Sequence, residues 1–237
     1  MSACNDSDTN DIDTLFENRA KWEALNESRY EMDNQHSAFS PDSGSYRVYV
    51  EQERVQTALR QVSNGQDDFK SPDHFIFDQA TVANLFVIAE QAIAMAEDYE
   101  IAYHPEFGYP TLIRVDVSRS VADDEALHTV SDMRLGSQSI CLAVVIPAIS
   151  VNLSLAGNPD ANVCDATVTL EDGDYTEQLE SCSNNRFRGA DERAGTYTIT
   201  ASYPGYNTQS INGISAYRFI CNVQTVNVDI QLAQSQG

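Results

Sequence analysis

Ile12, Leu15, Phe16, Trp22 and Leu25 recur at the three- and four-residue spacing of one helical face, with Arg19 as a gap. The spacing predicts an amphipathic helix capped by Asn10 or Asp11. Two strand-like segments follow, around 30–39 and 46–55, separated by Ser40-Pro41-Asp42-Ser43-Gly44, whose proline and glycine favour a turn. A polar loop over 63–73 leads to Thr81, an N-cap for a second helix with the apolar face Val82, Leu85, Phe86, Ala89, Ile93 and Ala96. Strands over 100–103, 111–117 and 127–133 complete an α+β unit, two helices on an antiparallel sheet, spanning 12–135. Gly136-Ser137-Gln138-Ser139 marks its end. Beyond it the period switches to two: Ile149, Val151, Leu153 and Leu155; Ala166, Val168 and Leu170; Tyr197, Ile199, Ala201 and Tyr203; Val226, Val228, Ile230 and Leu232. Turn clusters such as Gly157-Asn158-Pro159-Asp160, Glu171-Asp172-Gly173-Asp174, Pro204-Gly205 and Asn212-Gly213 separate them. Half-buried strands at this spacing predict an all-β, immunoglobulin-like antiparallel sandwich over 139–234.

The longest apolar run, 140–149, contains Cys141 and Pro147 and is too short to span a membrane, so it is expected as a buried strand. A formal charge of −22 over 237 residues makes association with nucleic acid or anionic lipid heads unfavourable, because both need basic patches to neutralise phosphates. Only Lys21 and Lys70 are lysines, and the acidic residues are spread along the chain as a solvated surface. Basic or cationic partners, or no charged partner at all, are favoured instead.

Cys141, Cys164, Cys182 and Cys221 lie in the last hundred or so residues, an even count that points to disulfides in an oxidising compartment rather than to zinc, for which the close Cys-x-x-Cys spacing is missing. The turn at 172–174 folds two strands back so that Cys164 and Cys182 face each other, leaving Cys141 for Cys221; four cysteines allow three connectivities, and this is the expected one. At the start, Ser2-Ala3-Cys4 followed by the acidic polar run from Asn5 to Asp13 resembles the cleavage box of bacterial lipoproteins, in which the cysteine becomes the lipidated first residue. No basic or apolar segment precedes the box, and a start that omits the signal peptide explains this. The resemblance implies a lipidated Cys4, a polar tether over 1–11 and an exported chain anchored to the bacterial envelope, with Asn5 favouring the outer membrane.

Trp22, Tyr30, Tyr46-Arg47-Val48, Thr81-Val82, Leu85-Phe86, Glu106-Phe107-Gly108-Tyr109-Pro110-Thr111, Asp116 and Ala122-Asp123-Asp124-Glu125 together resemble a bacterial lipoprotein family of unknown function carrying a Gly-Tyr-Pro-Thr motif. The similarity runs over roughly 21–134. Members often have Cys-Phe-Cys where this chain has Ala38-Phe39-Ser40, and Tyr-Asp where it has Tyr103-His104. In the second domain, Asp165-Ala166-Thr167-Val168-Thr169, Gly195-Thr196-Tyr197-Thr198-Ile199 and Pro204-Gly205-Tyr206 resemble the transthyretin-like or carboxypeptidase-regulatory-like sandwich, which implies a supporting, spacing or binding module.

Signatures of catalysis are missing: there is no Gly-x-Ser-x-Gly, no phosphate-cradling glycine loop and no His-Glu-x-x-His, and His36, His74, His104 and His128 are scattered. Asp123 with Glu125 has the residue types of a glycosidase pair, but such pairs arise by chance in so acidic a chain. Asp6, Asp8, Asn10 and Glu17 fall at calcium-loop positions, yet Asp11 replaces the glycine that the turn needs. No cofactor or metal is expected. The candidate working surface is the loop from Tyr103 to Pro110, where two prolines and Gly108 shape the chain and Tyr103, His104, Glu106, Phe107 and Tyr109 offer contacts, with Asp123, Asp124 and Glu125 beside it. The opposite reading makes these aromatics core residues at the end of a hairpin. The expected function is that of a non-catalytic cell-envelope lipoprotein that binds or spaces, with a membrane contact through the lipid anchor only, a protein or glycan partner, and no nucleic acid. The alternative is a protein inhibitor or envelope-maintenance factor acting on a partner protein; an enzyme of unknown type comes third.

Overall fold

The computed structural model describes residues 6–40, 43–61, 68–69, 76–121 and 123–235. Cys4, His74 and Ala122 lie outside the described residues. The chain divides into two compact units, Met1–Ser139 and Ile140–Gly237. Strands take 51% of it, so the protein is mostly β and the expected α+β arrangement does not hold.

In the first unit the elements run α1 (Asp6–Ala24), β1 (Arg29–Ala38), β2 (Gly44–Glu51), β3 (Arg54–Gln61), β4 (Asp68–Phe69), α2 (Ile76–Gln79), α3 (Val82–Met95), β5 (Asp98–Tyr103), β6 (Pro110–Asp116) and β7 (Glu125–Leu135). The strands form one seven-stranded sheet in the order β4-β3-β2-β1-β7-β6-β5, antiparallel at every step. The helices are few and are not laid side by side on this sheet. Helix α3 packs on β5 and β6, α2 is a single turn against β3, and α1 packs on α3. The reason lies in α1 itself. Its buried stripe is only Leu15, Asn18 and Trp22, too narrow to cover a sheet, whereas Phe16 stays 48% exposed. The polar stretch expected as a tether is helical from Asp6 onward, so it does not form the calcium loop either.

Period-two alternation sets the core face. Tyr30 and Met32 of β1 pair with Val50 and Val48 of β2, and all four are fully buried in the core that also holds Val82, Leu85 and Phe86 of α3. A single strand was expected over 46–55; instead Gln52 and Glu53 turn the chain with φ of 50° and 57°, and β3 begins at Arg54. Neither is the glycine or asparagine that usually announces such a two-residue turn.

The second unit runs β8 (Pro147–Leu155), β9 (Thr167–Asp172), β10 (Tyr175–Gln178), β11 (Ser181–Ser183), β12 (Arg186–Asp191), β13 (Gly195–Ser202), β14 (Gln209–Ala216) and β15 (Val226–Leu232). Two four-stranded sheets, β10-β9-β13-β14 and β11-β12-β8-β15, share one core built on Ile149, Val151, Phe187, Tyr197 and Ile230. The antiparallel immunoglobulin-like or transthyretin-like sandwich is corrected here too, since β15 lies parallel to β8, Val228 opposite Val151. The run 140–149 is not a buried strand as a whole. Ile140 is 95% exposed and Leu142 74%, and strand pairing starts only at Pro147, opposite Asp191.

Candidate functional site

Between β5 and β6 the loop 104–109 closes a hairpin whose last pair is Tyr103 with Pro110. The His104 N–H donates to the Tyr109 carbonyl at 2.8 Å, and His104 Nδ1 accepts from the Phe107 N–H at 3.1 Å. The His104 ring stacks between Phe107 and Tyr109, at centroid distances of 4.8 and 4.9 Å. Gly108 has φ of 80°, and a Cβ there would stand 2.2 Å from the Asn18 carbonyl oxygen, so only glycine lets the loop press onto α1. Tyr109 is 5% exposed and meets Trp22 edge-on at 5.9 Å. Its ring is core. Tyr103 stacks on Phe86, its hydroxyl has no hydrogen-bond partner among the described residues, and burial with the nearby Asp11 charge pushes it up to about 12. Glu106 alone of the five named loop residues is exposed.

Asp123, Asp124 and Glu125 are not beside this loop. Glu125 pairs with Asp116, which in turn pairs with Asp98, at the opposite end of the same strands, about 20 Å of β6 away from Pro110. Asp123 and Glu125 are exposed there, with Asp123 at φ of 77°, and the Asp124 carboxylate is half-buried.

The structure opens a site elsewhere. A cleft of about 500 Å³ lies between the C-terminal half of α1, the α1–β1 connection, the β2–β3 turn and the start of α3. Trp22, Ala83, Phe86 and Val87 supply its apolar wall; Glu23, Glu27 and Glu53 are acidic, and Arg19 is its cation. Asn26, at φ of 48°, ends α1 in the left-handed conformation that asparagine tolerates at a helix C-terminus. The N-terminus of α3 is fully occupied: Val82 N–H donates to the Tyr30 hydroxyl at 2.9 Å, Asn84 N–H to Thr81 Oγ1 at 3.1 Å, and Ala83 N–H to the Glu53 carboxylate. Burial pushes the Glu53 carboxyl up, against the lowering effect of the Ala83 N–H. For Glu27, partial burial raises the carboxyl, but hydrogen bonds from Ser137 and from the backbone of Arg29 and Ser28 outweigh it and hold it below the usual carboxylate range. Arg19 donates to Glu90 at 3.0 Å and lies over Phe86. Its charge is thereby neutralised, and the cleft is left net acidic.

None of these cleft residues was among the sequence candidates. The signal that points to them is α3 itself, which carries apolar residues all round and Glu90 as its one charge. A helix apolar all round needs cover on every side. Here α1 and the sheet cover part of it, and Val87 remains 44% exposed.

On the core face of the sheet, His36 and His128 sit opposite each other on β1 and β7 with ring centroids 4.6 Å apart. Burial, with a smaller push from His36, holds the His128 imidazole down at about 4. The folded value lies below the unfolded one, so the stability of the neutral ring is fully present above the ordinary histidine range and is lost as pH falls toward 4. Across that window stability is expected to fall by up to about 1.4 kcal/mol per pH unit from this group. Denaturation of the wild type and His128→Asn across the same pH range checks it: the variant should lose the extra slope, and parallel profiles refute the assignment.

In the second unit Cys164 is bonded to Cys182 and Cys141 to Cys221, with Cα separations of 5.5 and 5.2 Å. Cys182 is on β11 and Cys164 lies in the β8–β9 connection, ahead of β9, so the first bridge pins that connection to β11 rather than crossing one hairpin. Asn185, at φ of 62° in the β11–β12 turn, accepts from Val163 N–H and donates to the Ala161 carbonyl, fixing the segment that carries Cys164. Arg193 bonds Asp172 at 2.7 Å and covers the Tyr175 ring at 4.0 Å, while the Tyr197 hydroxyl donates to its carbonyl. Two disulfides place the protein in an oxidising, extracytoplasmic compartment. Among the described residues no helix is long and apolar enough to cross a membrane, and no group of three or more His, Cys, Asp or Glu is placed to hold a metal ion.

No curated protein matches the chain. A family model described as a family of unknown function, DUF6174, matches residues 14–135. That stretch contains α1 from Thr14, the whole seven-stranded sheet and every cleft residue. It makes up more than half of the 237 residues, and the chain belongs to the DUF6174 family.

Proposed function

We propose that this protein is a lipid-anchored, non-catalytic binding protein of the bacterial cell envelope, sorted to the outer membrane, whose first unit recognises a protein partner through the cleft between α1 and α3 while the second spaces or supports it. The exposed apolar surface of Ala83 and Val87, backed by the buried Phe86, carries the reading, since solvated apolar surface of this kind is released from water when a partner covers it. The acidic composition supports a protein partner over nucleic acid. The aromatic loop 104–109 serves this site from behind, by packing Tyr109 against Trp22 and Gly108 against Asn18 of α1.

The anchor and the recognition are tested separately. Mass spectrometry of the N-terminal peptide from native envelopes is expected to show a lipidated Cys4 as the first residue; an unmodified cysteine, or a mature start elsewhere, removes the anchor from the proposal. A photo-crosslinking residue placed at Val87 in the full chain is expected to capture one defined envelope protein, and the same residue at exposed Asp229 of β15 is not. Equal capture at both positions, or none at Val87, contradicts recognition through this cleft.

A further inference from the structure

We propose that the cleft's occupant is a basic segment of a partner polypeptide, one that seats an apolar side chain against Phe86 and Val87 and brings an arginine or lysine to Glu53. This deepens the recognition reading and rests on it. The cleft presents both halves of such a ligand's complement. Val87 offers exposed apolar surface, and Phe86 and Ala83 extend it inward.

The charge balance selects the sign of the ligand. Three carboxylates line the cleft against one guanidinium, and Arg19 already holds Glu90 at 3.0 Å. The carboxylates are not equivalent. Glu27 accepts from the Ser137 hydroxyl at 2.5 Å and from the Ser137 and Arg29 N–H groups at 2.9 and 3.0 Å, so its acceptor capacity is largely consumed by the fold. Glu23 and Glu53 are both exposed, and they differ in that Glu23 stands on the outer surface of α1 whereas Glu53 has a backbone N–H, that of Ala83, on its carboxylate. Glu53 is held by the left-handed turn, φ 57°, with the Ala83 N–H on its carboxylate, and it keeps acceptor sites for a second donor. A carboxylate fixed beside an apolar wall is the arrangement that receives a cation carried on an apolar stem. An anionic ligand gains nothing from the α3 N-terminus, because Tyr30, Thr81 and Glu53 already occupy its N–H groups.

Trp22 is the chain's one tryptophan and lines the cleft, so its fluorescence reports occupation of this site and not of the acidic surface at large. The probe is a short peptide alternating leucine and arginine, compared with its glutamine-for-arginine counterpart and with a neutral oligosaccharide. The leucine–arginine peptide is expected to shift Trp22 emission saturably. Glu53→Gln, which preserves the acceptor for Ala83, should weaken that binding about tenfold, as loss of one charge-assisted contact does. Asp123→Asn on the β6–β7 turn should leave it unchanged, and Val87→Ser should weaken it with an unaltered melting temperature.

Equal weakening by Glu53→Gln and Asp123→Asn would mean bulk charge attraction and overturn the proposal. So would equal binding of the glutamine peptide, saturable binding of the oligosaccharide, or no emission change with any probe. If the peptide fails while crosslinking at Val87 still captures a partner, the basic-segment proposal falls and the recognition reading stands; if both fail, both fall.

Discussion

Removing the Cys141–Cys221 bridge by a double change to alanine is expected to cost residues 140–237 about 4.5 kcal/mol, the chain-entropy value for a loop of this length. The two cysteines are 80 residues apart in sequence. Cys141 precedes β8 and Cys221 precedes β15, and these strands are the unit's parallel pair, starting with Val226 opposite Ile149. A parallel pair cannot be joined by a tight turn, so its closure entropy is large unless a covalent link holds the ends in the unfolded chain. The Cys164–Cys182 bridge, with a separation of 18, is expected to contribute less, about 3.2 kcal/mol on the same model. Urea denaturation followed by tyrosine emission and far-ultraviolet dichroism, with Trp22 reporting the first unit, separates the two transitions. The first unit's transition should stay where it was. A loss below about 1 kcal/mol for the double change would show that the unfolded state is already compact and that the entropic account fails here.

Tyr109→Ala is expected to destabilise the first unit by about 3–4 kcal/mol, in the range measured for removing a buried aromatic ring. Tyr109 is 5% exposed and is held on two sides, edge-on by Trp22 and face-on by His104. Its loss leaves a cavity at the junction of α1 with the β5–β6 hairpin, where the backbone at Gly108 already touches Asn18 and cannot move closer. Trp22 should then shift its emission to the red as water reaches it. Equilibrium denaturation of the variant settles the matter: an unchanged midpoint combined with lost partner capture would make the loop a recognition surface, and a large drop in midpoint makes it structural.

Much of the local structure is legible in the sequence. Period-two alternation located β8, β9, β13 and β15, and Thr81 capped α3 as its side chain predicts. Elements without that alternation were not legible. β12 and β14 carry glycines and polar residues on both faces, and β3 hides behind a turn built from glutamine and glutamate. The aromatic loop 103–110 was singled out for its composition, but composition cannot say whether an aromatic ring points inward, and Tyr109 does.

By itself the sequence determined the compartment and the local periods. Four clustered cysteines require oxidation to pair, the acidic excess disfavours phosphate backbones, and apolar spacing selects helix or strand because side chains repeat every 3.6 or 2 residues. Only the tertiary structure decided which faces meet. Strand register carried Asp123–Glu125 to the far end of β6 from the loop they were expected to join, because each residue of strand adds about 3.3 Å and a hairpin's turn fixes which end is which. Helix packing opened the cleft, because α1 buries too narrow a stripe to cover α3 and leaves Val87 beside Glu53 from another part of the chain. That meeting depends on contacts between residues more than thirty positions apart, which no local pattern encodes.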